Sequence, residues 1–198
     1  MLALLTALPA AAGPVTITFE TAPPQFLLAP VAEAGFTYSV HFGSLWIGSD
    51  GIPGQDLEGD GSSSGGVLRL SNATNGTFQF LGLDVSAWNV VVGTPTTVTV
   101  TGLLGGTTVG TDRYTLAAIS TIPYTNWTAV QANSLTGLAI DALLIGLPAS
   151  ATGDQFWASI DNVRLAVPVP EPTSLALFGM GLAGLGLVLR RRPEPLSP

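Results

Sequence analysis

The chain has 198 residues, of which 46% are hydrophobic and only 10% are charged, and its formal net charge is −7. It contains no cysteine, which excludes disulfide frameworks, cysteine zinc sites and thiol catalysis, and its single histidine cannot form a multi-histidine metal site. Lysine is absent, and residues 13–168 hold eleven carboxylates against three arginines, a balance that disfavours binding to nucleic-acid phosphates.

The N-terminus begins with a short apolar run, Leu2 to Leu8, which Pro9 ends and Ala10 to Ala12 follow. An apolar run followed by small residues is typical of a secretory signal peptide and its cleavage site. The basic residues that normally precede such a run are missing. We therefore interpret residues 1–12 as a truncated signal peptide, cut by signal peptidase after Ala12.

Residues 13–168 show the alternation of apolar and polar residues that predicts half-buried strands. The predicted strands lie at 15–20, 36–42, 67–72, 77–85, 96–106, 108–117, 127–132, 135–146 and 156–167. Segment 135–146 also suits a short helix, although its bracketing glycines and its isoleucines favour a strand. Many short strands at regular spacing predict an all-β domain, a β-sandwich of jelly-roll type.

Two strand segments give more detailed predictions. In segment 36–42, Phe36, Tyr38, Val40 and Phe42 share one face, which predicts that they point into the core. The pair Gly105-Gly106 between two alternating runs predicts a tight β-hairpin.

A long polar stretch, residues 48–66, is rich in Gly, Ser and Asp, a composition that predicts an irregular loop. Its acids Asp50, Asp56, Glu58 and Asp60 resemble a calcium loop only loosely, because the spacing of a known calcium-binding loop is not met. The alternative is a solvated loop without metal.

The C-terminal region combines three features in order: Pro170-Glu171-Pro172, an apolar stretch from Leu175 to Leu189, and a cluster of three arginines, Arg190, Arg191 and Arg192. The apolar stretch predicts a transmembrane helix over 173–189, and arginines at its end stay on the cytoplasmic side. The body is then exported, and residues 193–198 form a short cytoplasmic tail. The alternative, a buried helix of the globular domain, does not explain the three arginines.

This three-part tail over 169–192 resembles the PEP-CTERM sorting signal of exported bacterial proteins. The resemblance implies that an exosortase, a membrane transpeptidase, recognises the tail and cuts it near Pro-Glu-Pro. The sorting residues that it implies are Pro170, Glu171, Pro172, Arg190, Arg191 and Arg192. The protein would be anchored in the membrane by its C-terminal helix and, after processing, would reside at the cell surface or outside the cell. Proteins with this tail have diverse bodies, so it implies a route and no activity.

The segment 156–165, FWASIDNVRL, resembles the closing strand of exported jelly-roll and carbohydrate-binding-like domains. In such folds the first and last strands are neighbours, which would bring Glu20 near Asp161. The resemblance implies a calcium site formed by Glu20 and Asp161 with help from Asp154. The alternative is that these acids cap turns or face solvent.

Among the four tryptophans, Trp46 is the best candidate for a surface that binds a ligand, since it borders the polar stretch. Most of the others are expected in the core. No catalytic motif surrounds His41, which we expect to be an exposed strand residue.

The favoured hypothesis is therefore a non-enzymatic protein of the cell surface or extracellular matrix with a structural, adhesive or polysaccharide-associated role. One alternative is a calcium-stabilised carbohydrate-binding module. A second alternative is a polysaccharide hydrolase that uses a pair of carboxylates.

Overall fold

The computed structural model describes residues 12–48, 54–59, 65–89, 93, 95–120, 126–148 and 156–168. Within these ranges the regular elements are all strands, and none is an α-helix. The strands are β1 Ala12–Ile17, β2 Gln25–Phe26, β3 Val31–Glu33, β4 Phe36–Gly43, β5 Leu45–Gly48, β6 Asp56–Gly59, β7 Gly66–Asn72, β8 Gln79–Asn89, β9 Pro95–Leu104, β10 Thr107–Ala117, β11 Thr128–Gln131, β12 Ala142–Leu147 and β13 Phe156–Pro168.

The strands form two sheets that enclose one core, which confirms the predicted all-β sandwich. The first sheet has the order β11-β8-β13-β6-β5-β2, and β1 pairs with β13 beside it. The second sheet has the order β10-β9-β12-β7-β4-β3. Because β1 pairs with β13, the first and last strands are neighbours, as the resemblance to jelly-roll domains implied.

Alternate residues of both sheets point inwards and pack into one apolar cluster. The fully buried side chains at its centre include Ile17, Tyr38, Leu57, Leu68, Phe80, Val85, Val100, Ile145 and Ile160. Burial of this alternating set holds each strand in register, since a slip of one residue would turn its apolar side chains outwards.

The predicted hairpin is confirmed. β9 and β10 pair in antiparallel fashion with Leu104 opposite Thr107, and Gly105 and Gly106 form the two-residue loop between them. Both glycines have positive φ angles, 58° and 78°, which this type of tight turn requires and which other residues adopt at a cost.

Phe42 does not face the core, contrary to the prediction, and 62% of its surface is exposed. The pairing of β4 with β7 shifts register between Val40 and Phe42, so a bulge ends the alternation that buries Phe36 and Tyr38. His41 is exposed on the same strand, as predicted.

The strand predicted for 135–146 is correct only in its second half, where β12 lies. The first half contains a turn, in which the Leu138 amide donates to the Leu135 carbonyl at 3.1 Å. The Asp112 carboxylate on β10 accepts hydrogen bonds from the amides of Asn133 at 2.9 Å and Ser134 at 2.6 Å. This contact, from a residue more than twenty positions away, fixes the turn.

The sandwich, Gly13–Val167, forms one compact unit, and residues 1–12 and 168–198 belong to a second unit. No helix capable of spanning a membrane is found among the described residues. Residues 1–11 of the predicted signal peptide, 1–12, lie outside those residues, and so does the predicted transmembrane helix at 173–189. The predicted sorting residues lie outside them as well: Pro170, Glu171, Pro172, Arg190, Arg191 and Arg192.

Candidate functional site

The outer face of the first sheet carries a row of polar and aromatic residues. Pairing places Phe26 opposite Trp46, Trp46 opposite Glu58, Glu58 opposite Ser159, and Ser159 opposite Ser86. Directly paired residues of an antiparallel sheet share a face. Since the alternate residues of these strands point into the core, the row lies on the face away from it. We call this side of the sheet the outer face, and Glu58, Ser159 and Ser86 on it are buried.

Phe26 and Trp46 form an aromatic corner at the β2 end of the outer face. Their ring centroids lie 4.9 Å apart and their planes meet at 76°, so Phe26 stands almost perpendicular to the indole. Phe26 is 47% exposed and Trp46 is half-buried. Edge-to-face pairs of this kind add about 0.5–1.5 kcal/mol to the burial of the rings.

Gly48 has no side chain and so leaves room for the indole ring of Trp46. A Cβ atom at position 48 would lie 2.6 Å from the indole Nε1 and 2.8 Å from Cδ1 of Trp46. The same atom would lie 2.8 Å from Oε1 of Glu58. The indole edge and the Glu58 carboxylate therefore approach the backbone of β5 at a point that only glycine leaves open.

Asp56 and Glu58 are not in a solvated loop, and that expectation was wrong. They belong to β6, which lies between β5 and β13, and they are only 0% and 5% exposed. Leu57 between them is buried in the core, so the strand alternates after all. An alternation of three residues within a Gly-rich segment is too short to predict a strand from the sequence. Asp50 and Asp60, the other acids of the proposed second metal site, lie outside the described residues.

Asp84 and Asp161 face each other on β8 and β13. Arg164 donates to Asp84 at 2.6 Å, and the Asn162 side-chain amide donates to both carboxylates at 3.0 Å. The Asn162 backbone amide also donates to Asp161 at 2.6 Å. Asn162 has φ 47° beside a register shift of β13, a conformation that asparagine tolerates better than most residues.

Burial raises the pKa of Asp161 to about 6, and the negative charges of Asp84, Glu20 and Glu33 act in the same direction. The hydrogen bond from the Asn162 backbone amide opposes this effect. A cation bound beside Asp161 would lower its pKa, because it would stabilise the charged form of the carboxyl group.

Glu20 and Asp161, two of the predicted calcium ligands, are therefore close enough to interact electrostatically. Glu20 accepts a hydrogen bond from the Gln55 amide at 2.7 Å. Glu33, which sequence reasoning missed, accepts from the Thr18 amide at 2.7 Å and from its hydroxyl at 3.0 Å. Asp154 lies outside the described residues, and no three acidic or histidine side chains in the described ranges could together hold a metal ion.

Of the other tryptophans, Trp88 is buried and Trp127 is half-buried. A separate cleft of about 400 Å³ lies between the edge strands β10 and β11 and is lined by residues that include Arg113, Tyr114, Asn126 and Thr128. Asn126 is engaged there in holding strands together, since it bonds Ser86 and the carbonyls of Ala87 and Ala117.

Comparison with known proteins identifies the tail. Residues 168–192 match the PEP-CTERM protein-sorting motif, which confirms the resemblance of the C-terminal region. The matched range includes the predicted Pro-Glu-Pro and ends with the three predicted arginines, Arg190, Arg191 and Arg192. The motif implies that the protein is exported and sorted by an exosortase. No curated protein matches the chain.

Solved structures similar to the chain include two carbohydrate-binding modules. A DUF4465 family protein from Bacteroides caccae has 13% identity and a TM-score of 0.47, covering 78% of this chain and 99% of its own. A family 11 carbohydrate-binding module of a Clostridium thermocellum cellulase has 10% identity and a TM-score of 0.38, covering 82% and 99%. A family 29 carbohydrate-binding module has 14% identity and a TM-score of 0.38, covering 72% and 91%.

Proposed function

We propose that this chain is an exported surface protein whose C-terminus is processed by an exosortase near Pro170-Glu171-Pro172. The observation that carries the proposal is the match of residues 168–192 to the PEP-CTERM protein-sorting motif. The signal-peptide-like N-terminus is consistent with export, and Arg190, Arg191 and Arg192 would hold the tail at the cytoplasmic side until cleavage.

The position of the motif supports processing without damage to the fold. β13, the last strand of the sandwich, ends at Pro168, and the motif begins at the same residue. Cleavage at or after Pro170 would leave every described strand in the released body. The sandwich would then act outside the cell, free of the apolar segment.

Substitution of Pro170, Glu171 and Pro172 by alanine tests this route. The variant should keep its full C-terminus, whereas the wild-type protein recovered from the native cell surface should have an intact mass that ends near Pro172. The chain offers a matched control, because residues 193–195 repeat Pro-Glu-Pro beyond the arginines. Alanine substitution there should leave processing unchanged, and masses that place the C-terminal end at the same residue in all three proteins would refute the proposal.

For the body, we propose a non-enzymatic structural or adhesive role in contact with extracellular polysaccharide. The aromatic corner, in which Phe26 is 47% exposed, and the partly exposed acids Asp84 and Asp161 support contact with the apolar faces and hydroxyl groups of sugars. A hydrolase needs a free pair of carboxylates. The facing pair Asp84 and Asp161 is instead bonded to Arg164 and Asn162, which favours a structural role for these two groups.

The alternative of a calcium-stabilised carbohydrate-binding module is supported by the carboxylates of Asp84 and Glu20, whose charges act on Asp161. Carboxylates and backbone carbonyls are ligands that calcium prefers. If Glu20 and Asp161 hold calcium, the thermal midpoint should fall on addition of EDTA and recover with calcium, and Asp161→Asn should abolish this response. The same thermal midpoint with and without EDTA would exclude the calcium site. This result would not contradict the proposed sorting route.

A further inference from the structure

The turn that joins β7 of the second sheet to β8 of the first contains an Asn-Gly pair, Asn75 and Gly76. Asn75 is exposed and has φ 58°, in the left-handed region that asparagine tolerates. Its backbone amide donates to the Asn72 carbonyl at 3.0 Å, and the Thr74 amide donates to the Asn72 side-chain oxygen at 2.9 Å. These contacts hold the turn through its backbone and through Asn72. Within the described part of the chain, the Asn75 side chain itself forms no hydrogen bond.

The backbone amide of Gly76 is unbonded as well. Among the described residues it donates to no acceptor. Glycine also has no Cβ atom, so no side chain hinders the approach of this nitrogen to the side-chain carbonyl carbon of Asn75. That approach closes a five-membered ring between adjacent residues, and it is the reaction that makes asparagine chemically labile in proteins.

Two other asparagines are followed by amides that the fold has bound. Asn133 is exposed, but the Ser134 amide that follows it donates to the Asp112 carboxylate at 2.6 Å. Asn72 is buried, and the Ala73 amide that follows it donates to a backbone carbonyl at 3.0 Å. Each of these hydrogen bonds would have to break before the nitrogen could attack, which slows the reaction. The structure thus distinguishes one asparagine by its free neighbour as well as by its exposure.

We propose that Asn75 is a site of spontaneous deamidation in the exported body, with the Gly76 amide nitrogen as the nucleophile. This nitrogen gives its proton to water or hydroxide and attacks Cγ of Asn75. A bond forms between the nitrogen and Cγ, the bond from Cγ to Nδ2 breaks, and Nδ2 takes a proton from solvent and leaves as ammonia. One water molecule then opens the succinimide ring. Opening at Cγ gives aspartate, and opening at the backbone carbonyl gives isoaspartate, without any oxidant, reductant or enzyme.

Either product changes the charge of the body. It adds one carboxylate to a region that already holds eleven carboxylates against three arginines. Isoaspartate also lengthens the main chain by one methylene group at the connection between the two sheets, which should weaken the hydrogen bond from residue 75 to Asn72. The fraction of altered, more acidic protein should therefore rise with the time since export.

The test incubates the full chain, kept in solution with a mild detergent, for several weeks at neutral and at mildly alkaline pH. Tandem mass spectrometry locates each change of an amide to an acid, and an isoaspartate-specific methyltransferase labels the isoaspartate product. Asn75 should convert before every other asparagine of the described residues. Its conversion should be faster at the higher pH, because the deprotonated amide nitrogen is the attacking species.

Gly76→Ala tests the nucleophile. The added Cβ would meet its nearest neighbour, Nδ2 of Asn72, at an ordinary 3.5 Å, and Gly76 is not among the glycines with a positive φ, so the fold should accept alanine. Conversion of Asn75 should become roughly tenfold slower, because the methyl group hinders the approach of the nitrogen. Thermal midpoints show whether this variant and the next one are folded.

Ser134→Gly is the matched control, because it gives Asn133 the same following residue as Asn75. The backbone amide at position 134 remains available to bond Asp112. Conversion of Asn133 in this variant should therefore stay at least tenfold slower than that of Asn75, although the two sequence pairs are then identical.

An intact Asn75 in the folded chain, under conditions in which a free peptide of residues 70–80 deamidates, would overturn the inference, because the turn would then prevent the attack. Equal conversion of Asn75 and Asn133 in folded Ser134→Gly protein would also overturn it, since the sequence pair alone would then set the rate. An unchanged rate in folded Gly76→Ala protein would exclude the assigned nucleophile. The C-terminal cut is measured at a different end of the chain, so none of these results bears on the sorting route.

Discussion

The tail and the outer face of the sandwich contrast in how their functional residues are arranged. The sorting motif is contiguous, and all its parts lie between residues 168 and 192. The outer face collects Phe26, Trp46, Glu58, Asp84 and Asp161 from five strands spread over most of the body. A linear signal works through order and spacing, whereas an assembled face exists only while the sheet is folded. The two regions should therefore respond to different perturbations.

The largest effect is expected when the tail is separated from its own body and tested on another protein. Residues 169–198 fused to an unrelated exported domain should direct cleavage near the transplanted Pro-Glu-Pro, with an all-or-none change in the intact mass of the surface product. The same fusion with alanine at Pro170, Glu171 and Pro172 should remain uncut. If the transplanted tail is never cut while the native chain is, the sandwich itself contributes to recognition.

A substitution in the core should destabilise the folded outer face and leave the sorting motif unchanged. Ile160 is fully buried on β13 between Leu57 of β6 and Val85 of β8. Ile160→Ala should lower the free energy of unfolding by about 2–5 kcal/mol, because it removes buried apolar surface and leaves a cavity. The exposed Phe42→Ala is the control, with an expected change of about 0.5 kcal/mol. Denaturant unfolding of the full chain in detergent measures both, and equal losses would contradict the assigned core.

Asp161 should make the stability of the face depend on pH. Its pKa rises from an ordinary 3.8 to about 6 on folding, so between these values the folded state binds more protons than the unfolded state. Stability should fall as pH rises from about 4 to about 6 and then stay level. Asp161→Asn should flatten this slope and raise stability at pH ~7.5 by about 1–3 kcal/mol.

The matched control for that measurement is Asp141→Asn. Asp141 accepts a hydrogen bond from the Gly105 amide at 2.6 Å, so its substitution should bring no gain in stability. Thermal unfolding between pH ~4 and ~8 distinguishes the two variants. Parallel pH profiles for Asp161→Asn and the wild-type chain would contradict the assigned environment of Asp161.

The smallest expected effect concerns Arg164, which is partly exposed and pairs with Asp84 at 2.6 Å. Arg164→Ala should lower the free energy of unfolding by about 1 kcal/mol, since partly exposed ion pairs contribute little to stability. Arg164 also donates to the Val130 carbonyl at 3.1 Å, which links β13 to β11. Arg164→Lys should recover part of the loss. Loss of several kcal/mol would show that this pair organises the edge of the first sheet.

The fold class and most strands followed from period-2 alternation, because one face of each strand must be apolar to join the core. The hairpin at Gly105-Gly106 followed from turn chemistry that operates within four residues. The predictions failed where distant groups decide the local structure. Asp112 fixes the turn before β12, and a bulge against β7 exposes Phe42.

For the candidate site, the sequence singled out Trp46 and, through the resemblance, Glu20 and Asp161. It could not place Asp56 and Glu58 on a buried strand, because β6 is four residues long and set in a Gly-rich segment. It could not pair Phe26 with Trp46 either, since no local pattern connects a two-residue strand to its neighbour twenty positions later.

By itself, therefore, the sequence determined the sorting route and the all-β class. Both depend on residues close together in the chain: the route on a contiguous motif, and the class on the alternation of apolar and polar side chains. The tertiary structure alone decided which face carries the aromatic corner, which acids lie beside it, and why position 48 is glycine. These depend on strand register and on approaches of a few ångströms between residues far apart in the chain, which only the packed sheets define.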